Sequence, residues 1–216
     1  MRDEWTGESV EEAVAKALAE LGLPREKVEI TVLDEPAPGL FGRGRRQAVV
    51  RVRPRPSFPE AALHFVEGVV SYMAPEAEVH PPVATEGGWL LSIAGDVKGV
   101  LIGKRGKTLA ALQYLAETYA FYRSGERERV VVDVNDYRHR RREWLRREAL
   151  RAARQALRTG KPQRLEPMTA YERYVVHTTI QEVAGVTSAS EGKEPFRRVV
   201  IYPEGSREGD GGPPQR

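Results

Sequence analysis

Residues 99–117 have the sequence GVLIGKRGKTLAALQYLAE and contain the most informative pattern in the chain. An apolar run ends in Gly-Lys-Arg-Gly-Lys-Thr, and apolar residues then recur at helical spacing. Basic residues next to glycines suit phosphate in two different settings. A nucleotide-binding loop wraps the phosphates of one nucleotide, whereas a short turn before a helix approaches the backbone of a nucleic-acid strand. The neighbouring residues distinguish these settings.

The first alternative is a P-loop, which requires the pattern Gly-x-x-x-x-Gly-Lys-Ser/Thr. Gly106, Lys107 and Thr108 match the end of that pattern, but the position of its first glycine is occupied by Leu101. The segment VVVDVND (130–136) could pass for a Walker B strand. A P-loop fold also needs a broad parallel sheet, and only a helix pair and one convincing strand are predicted afterwards. An NTPase is therefore the less favoured alternative.

The second alternative is a tight turn between two helices. Gly103 and Gly106 allow the turn and a close approach of a ligand to the backbone. Lys104 and Arg105 lie between the glycines, and Lys107 follows in the first helical turn, where N–H groups favour anions. The residues expected to bury the helix against a sheet are Leu109, Leu112, Leu115, Ala116 and Tyr119. The residues expected to line a groove for bases are Val100, Leu101 and Ile102.

This turn resembles the Gly-x-x-Gly loop of a KH domain, and the resemblance covers about residues 58–136. It implies that the loop Gly103–Lys107 grips about four nucleotides of a single strand. If residues 96–102 (DVKGVLI) form a helix, the predicted order of elements is α-β-β-α-α-β, as in a type II KH domain. If they form a strand, the order is α-β-β-β-α-β.

The positive charge of the chain is concentrated after this region. Residues 136–203 contain 15 Lys and Arg against 8 Asp and Glu, a net of +7 within a chain whose formal net charge is +3. A local concentration of positive charge attracts polyanions, whereas dispersed charge mainly confers solubility.

A long helix at about residues 136–157 carries much of this charge. One of its faces is predicted to contain Arg140, Trp144, Arg147, Arg151, Arg154 and Arg158. The opposite face is predicted to contain Leu145, Ala149, Ala152, Ala153 and Ala156. A face that is simply exposed to solvent is the simpler interpretation. Such faces normally contain both acidic and basic residues, whereas here only Glu143 and Glu148 lie among the arginines. We therefore favour nucleic-acid contact by Arg147, Arg151 and Arg154.

The next helix, at about residues 169–184, contains Arg173 and His177 four positions apart, so both side chains point to one face. Alone, His177 would be interpreted as an ordinary histidine of an amphipathic helix. The segment 134–203 resembles an R-three-H domain, named for its Arg-x-x-x-His pair, and the resemblance implies contact of both residues with single-stranded nucleic acid. Tyr174 stands where a second arginine is common, which lowers the charge and adds a stacking ring.

The N-terminal segment predicts a small βαββ unit. A helix is expected at residues 9–21, and the strands KVEITVLDE and RQAVVRVR are joined by PAPGLFGRG. Leu40 and Phe41 at the tip of this connection either dock a protein partner or fold back onto the core. The fold class is therefore α+β, with three small domains. The expected bounds are a βαββ domain at 1–53, a proline-rich linker at 54–59, a KH domain at 60–135, an Arg-x-x-x-His domain at 136–203 and a disordered tail at 204–216.

This order of domains resembles the bacterial Jag family, also called KhpB or EloR. Two N-terminal segments carry the resemblance, GESVEEAVAKALAELGL and APGLFGRGRRQAVVRV. It implies a cytoplasmic protein that binds single-stranded RNA, with single-stranded DNA as the alternative ligand, and that regulates genes after transcription in connection with cell elongation or division. The implied protein partners are a smaller KH-domain protein and a membrane-associated protein bound by the N-terminal domain.

Composition excludes several other classes. The chain has no cysteine, and its four histidines form no zinc-binding pattern, so neither a metal nor a cofactor is expected. No motif marks a nucleophile, which favours a binding protein over an enzyme. No apolar run approaches 18 residues, and the acidic N-terminus lacks the apolar region of a secretory signal, so an integral membrane protein is not expected. A protein-binding adaptor, with RNA incidental, stays open as the alternative function.

Overall fold

A computed structural model of the chain describes residues 3–37, 46–97 and 99–205. The chain divides into two compact units, residues 1–133 and 134–216. Both units pack helices on β-sheets, and the first contains two successive α/β domains. The mixed α/β class and the three-domain layout agree with the expectation from sequence.

The N-terminal domain packs one helix on a three-stranded sheet. Its elements are β1 (Glu4–Gly7), α1 (Val10–Leu21), β2 (Val28–Asp34) and β3 (Ala48–Pro54). Ser9 caps α1 by accepting a hydrogen bond from the Glu12 amide at 3.1 Å. The strand order is β1-β3-β2, and Trp5, Val14 and Val50 are buried between the helix and the sheet. The predicted tip with Leu40 and Phe41 lies outside the described residues, as do Gly39, Gly42 and Gly44.

The second domain places two helices on a four-stranded sheet. Its elements are α2 (Phe58–Met73), β4 (Glu78–Val79), β5 (Val83–Thr85), β6 (Gly88–Ala94), α3 (Lys107–Ser124) and β7 (Val130–Val134). Strands β4 and β5 both pair antiparallel with β6, and β7 also pairs with β6. The core side of this domain includes Phe58, Val66, Leu91, Leu109 and Val132.

The structure differs from the predicted α-β-β-α-α-β order in two places. The first of the two successive strands in that order is divided into β4 and β5, because Pro81 and Pro82 between them have no N–H to donate to a ladder. The described residues between Gly95 and Gly103 form turns and no α-helix. Gly95, Gly99 and Gly103 all have positive φ and are spaced four residues apart. The stretches between them are therefore too short to form an α-helix. A 3-10 turn, Lys104–Gly106, leads directly into α3.

The third domain packs two helices on a second antiparallel sheet. Its elements are α4 (Tyr137–Thr159), β8 (Gln163–Arg164), α5 (Ala170–Gln181), β9 (Val186–Glu191) and β10 (Arg198–Pro203), with the strand order β8-β10-β9. Leu145 and the alanines of α4 pack against Val176, Ile180 and Ile201. The predicted disordered tail falls on residues 204–216, of which 206–216 lie outside the described residues.

A short connection joins the first two domains. Strand β3 ends at Pro54 and α2 begins at Phe58, so three residues lie between them. The Arg55 amide donates to the Lys27 carbonyl at 2.8 Å, and Arg55 Nε donates to the Val28 carbonyl at 3.2 Å. Glu126 accepts a hydrogen bond from the Phe58 amide at 3.1 Å and forms an ion pair with Lys27. The connection is therefore held by both domains.

Candidate nucleic-acid interface

The loop before α3 turns sharply over four residues. Gly103 has φ 67° and ψ −176°, a conformation that only glycine adopts readily. Arg105 and Gly106 both lie in the left-handed region, with φ 57° and φ 76°. Three positive φ values within four residues reverse the chain and direct it into α3.

Glycine at position 103 is required by space as well as by conformation. A Cβ atom there would overlap Thr108 Oγ1 and would lie 2.8 Å from Thr108 Cβ and 3.0 Å from the Thr108 amide nitrogen. The loop is therefore closed onto the first turn of α3, which fixes the direction in which its basic residues leave the backbone.

The amides of this turn are largely used within the protein. The amides of Gly103, Gly106 and Lys107 donate to the carbonyls of Gly99, Gly103 and Lys104. The Leu109 amide donates to the Ile102 carbonyl at 3.2 Å. The expectation that free N–H groups of the first helical turn attract anions is therefore weakened, and the positive charge comes from side chains. Lys104 and Lys107 are exposed, and Arg105 is partly buried.

The apolar residues around the loop differ in part from the expectation. Leu101, Leu109, Leu112 and Ala116 are buried, and the Tyr119 ring packs on Phe65 with centroids 5.2 Å apart. Leu115, however, is 50% exposed, because it lies on the outer face of α3. Leu101 belongs to the core and is unavailable as a groove wall, whereas Val100 remains exposed.

Helix α4 presents the predicted basic face to solvent. Its alanines and Leu145 are buried, while Arg140, Trp144, Arg147, Arg151, Arg154 and Arg158 are exposed. Arg151 pairs with Glu148 through Nη2 at 2.7 Å. Arg147 and Arg154 have no ion-pair or hydrogen-bond partner among the residues that the structure describes. Arg158 has none either, so Arg147, Arg154 and Arg158 are cations of the face that no carboxylate of the described residues neutralises.

Arg173 is committed to contacts inside the domain. It is only 8% exposed, and its Nη1 donates to the Met168 carbonyl at 2.8 Å and to Glu194 Oε1 at 2.7 Å. Glu194 lies in the turn between β9 and β10. The guanidinium therefore holds this hairpin turn against the N-terminal end of α5.

His177 is engaged with the same hairpin. Its Nδ1 lies 2.8 Å from Ser188 Oγ and its Nε2 lies 2.8 Å from Ser190 Oγ, both on β9. Burial lowers the pKa of His177 below its ordinary value of 6.5, and the positive charges of Arg173 and Arg197 lower it further. The ring is therefore neutral at pH 7, with one nitrogen donating and the other accepting.

Sequence spacing placed Arg173 and His177 on one face but could not show what this face contacts. It also missed Arg142, Arg146 and Tyr171, which line a groove between α4 and α5 together with Tyr174. The sequence pattern that could have predicted this groove is two arginines four positions apart on α4 and two tyrosines three positions apart on α5. Residues at these spacings are neighbours on a helix surface.

The described residues contain neither a cluster suited to a metal ion nor a membrane-spanning helix. Across residues 3–37, 46–97 and 99–205, no cluster of His, Asp and Glu has an arrangement suited to a metal ion. None of the helices in the same ranges has the length and the apolar character needed to cross a membrane.

Three family models match successive parts of the chain. They are described as Jag N-terminus (residues 5–54), KhpA/KhpB, KH domain (residues 60–134) and R-three-H domain (residues 143–203). The chain is 36% identical over 197 residues to a protein of Clostridium symbiosum named RNA-binding protein KhpB, a match that covers 91% of this chain and 89% of the relative. It is 34% identical over 198 residues to the protein of the same name from Bacillus subtilis (strain 168), covering 90% and 95%.

Proposed function

Because the chain belongs to the KhpB family, also called Jag, we propose that it binds single-stranded RNA through its KH loop and its third domain. The membership confirms the family predicted from sequence. The observation that carries the proposal is the closed turn at Gly103–Gly106 with Lys104 and Lys107 exposed beside it. RNA is the ligand that the names of the relatives state.

In this proposal the residues of the two sites have different roles. Gly103 and Gly106 shape the turn, and Lys104, Arg105 and Lys107 attract phosphates. Arg147, Arg151 and Arg154 of α4 extend the positive surface of the third domain. Arg173 and His177 act indirectly, because their polar atoms are already bonded to Glu194, Ser188 and Ser190. They position the β9–β10 hairpin rather than contact phosphate.

The test is fluorescence-anisotropy binding of a labelled, unstructured single-stranded RNA at several salt concentrations. The Lys104→Asp/Arg105→Asp variant is expected to bind at least about tenfold more weakly and to lower the salt slope by about one to two. The matched control is Lys16→Asp/Arg25→Asp, which changes net charge equally on exposed residues of the N-terminal domain. Absence of binding by the wild type would refute the RNA function. If the loop variant bound RNA as tightly as the wild type, the RNA-binding site would lie outside the KH loop.

We propose a binding protein rather than an enzyme. The position that a P-loop needs for its first glycine is Leu101, a fully buried core side chain. The sheet next to it pairs β4, β5 and β6 antiparallel, unlike the parallel sheet of a P-loop fold. Magnesium-dependent nucleotide binding that is abolished by Lys107→Ala would contradict this proposal.

The cellular role is proposed from family membership. It is cytoplasmic regulation of RNA linked to cell elongation or division, with residues 1–53, 60–135 and 136–203 as the functional domains. The expected phenotype of a deletion strain is altered cell length, restored by the wild-type gene and not by the Lys104→Asp/Arg105→Asp variant. Restoration by that variant would separate the cellular role from RNA binding.

An adaptor function is the second candidate, and one surface of α3 supports it. Tyr114, Leu115 and Tyr122 are all exposed and lie on one side of that helix. Exposed apolar surface of this kind suits a protein partner, and the KH model shared by KhpA and KhpB supports a second KH-domain protein. Leu115→Glu/Tyr122→Glu is expected to abolish co-elution with such a partner in size-exclusion chromatography and to leave RNA affinity unchanged. A membrane-associated protein that binds the N-terminal domain is a further proposed partner.

A further inference from the structure

The third domain contains a groove that the Arg-x-x-x-His pair does not explain. It lies between α4 and α5 and encloses about 520 Å³. Its walls are formed by Arg142, Arg146 and Leu150 on α4 and by Tyr171, Tyr174 and Thr178 on α5. This volume falls in the range of sites for small ligands or for single bases.

The tyrosine wall suits stacking. Tyr171 and Tyr174 are 60% and 64% exposed, although they lie on a helix whose Val175 and Ile180 are buried. Residues three apart are neighbours on a helix, so the two rings form one aromatic surface. Base stacking on such rings is tolerant of sequence, because every base has a flat face.

The arginine wall supplies positive charge. Arg142 Nε is buried and has no hydrogen-bond partner within the described part of the chain, which costs free energy unless an acceptor is supplied. Arg146 is exposed and pairs with Glu143 at 3.3 Å, a surface contact of small worth. Glu182 lines the groove as well, so the walls combine two cations with one carboxylate.

The groove continues into the basic face of α4. Leu150 lies three residues after Arg147 and four before Arg154, so these two of the unneutralised cations are neighbours of the groove wall. A strand whose bases enter the groove would therefore have its phosphates directed towards Arg142, Arg146 and these two arginines. A polyanion with flat faces fits this combination better than a run of Asp and Glu residues, whose side chains have no rings to stack.

We infer that this groove is the RNA-contacting site of the third domain, with bases stacked on Tyr171 and Tyr174 and phosphates held by Arg142 and Arg146. The inference rests on the proposed RNA function and gives it a location. It also separates two roles, since the Arg173 and His177 side chains face the β9–β10 hairpin while the tyrosines of the same helix face the groove.

The experiment measures RNA affinity of the full chain by anisotropy. The Tyr171→Ala/Tyr174→Ala variant is expected to raise Kd at least about tenfold without changing the salt slope. Tyr171→Phe/Tyr174→Phe is expected to bind like the wild type, because the rings remain. The control is Tyr72→Ala, which removes an exposed ring from the second domain. Each variant is also made in a Lys104→Ser/Arg105→Ser background, so that the loop does not mask the groove.

The arginine wall is tested by its salt dependence. Arg142→Gln/Arg146→Gln is expected to lower the salt slope by about one to two, with circular dichroism verifying the fold. Unchanged affinity of Tyr171→Ala/Tyr174→Ala in both backgrounds, while the wild type binds RNA, overturns the inference and leaves the RNA function intact. Failure of the wild type to bind overturns both.

Discussion

At the scale of single residues, the missing side chain of Gly103 allows the loop to close on Thr108. The Gly103→Ala variant would hold alanine in a conformation that only glycine adopts readily, and its methyl group would overlap the Thr108 side chain. We expect a loss on the order of 3 kcal/mol in the free energy of unfolding, measured by urea denaturation. Gly68→Ala is the control, because Gly68 lies in α2 with open space around it and its replacement should stabilise by about 1 kcal/mol. Equal stability of Gly103→Ala and the wild type would contradict the geometry of this loop.

His177 makes the stability of the third domain depend on pH. Its pKa is lowered in the folded state, so below about pH 6.5 the unfolded chain binds a proton at this residue more readily than the folded chain does. The contribution is fully present above the ordinary pKa of 6.5 and decreases as the pH falls below it. We expect the wild type to lose stability between about pH 7 and pH 5, and His177→Gln to lose less. The exposed His139 serves as the control, because His139→Gln should retain the full decrease.

The same residues show what spacing can predict. Gly103 and Gly106 could be identified because few other residues adopt positive φ, so their type alone carries the conformation. The environment of Arg173 could not be identified, because its carboxylate partner Glu194 is 21 positions away and reaches it only through the β9–β10 hairpin. Helical spacing reveals a face, and tertiary packing decides what covers it.

At the scale of elements, α5 depends on a carboxylate with two roles. Glu172 accepts a hydrogen bond from the Thr169 amide at 2.8 Å and pairs with Arg141 at 2.7 Å, and both side chains of this pair are largely buried. Thr169→Ala is expected to cost about 1 kcal/mol through the lost cap. Glu172→Gln is expected to cost more, about 2–3 kcal/mol, because Arg141 loses its counter-charge.

Urea unfolding of these variants provides the comparison. Glu143→Gln is the control, since its pair with Arg146 is exposed and should contribute less than about 1 kcal/mol. A Glu172→Gln variant as stable as Glu143→Gln would show that the buried pair does not stabilise α5.

Elements with strong local signals were the predictable ones. Helix α1 begins directly after Ser9, and α5 begins directly after Thr169, as residues that cap helices indicate. The segment 96–102 was mispredicted because its apolar residues fit either a helix or a strand. The decisive property there is the positive φ of Gly95, Gly99 and Gly103, which depends on the surrounding fold.

At the scale of the whole molecule, the proposed function assigns one RNA-binding site to each of the two compact units. Residues 136–203, within the second unit, carry a net charge of +7, whereas residues 54–135 carry a net of −2, with Lys104, Arg105 and Lys107 at the loop. Linked sites gain from effective concentration, so the full chain should bind a long single strand about 100-fold more tightly than either part, residues 1–135 or 136–216. An equimolar mixture of the parts is the control. A full chain no tighter than its better part would show that the sites act separately.

The three tryptophans of the chain are distributed one to each domain, with Trp5 in β1, Trp89 in β6 and Trp144 on the outer face of α4. Fluorine-labelled tryptophan would therefore yield one resonance for each domain. Titration with RNA should move the Trp144 signal when the third domain is engaged and the Trp89 signal when the second is, while buried Trp5 acts as an internal reference. Each domain therefore has its own tryptophan resonance, and no tryptophan has to be added or removed to tell the domains apart.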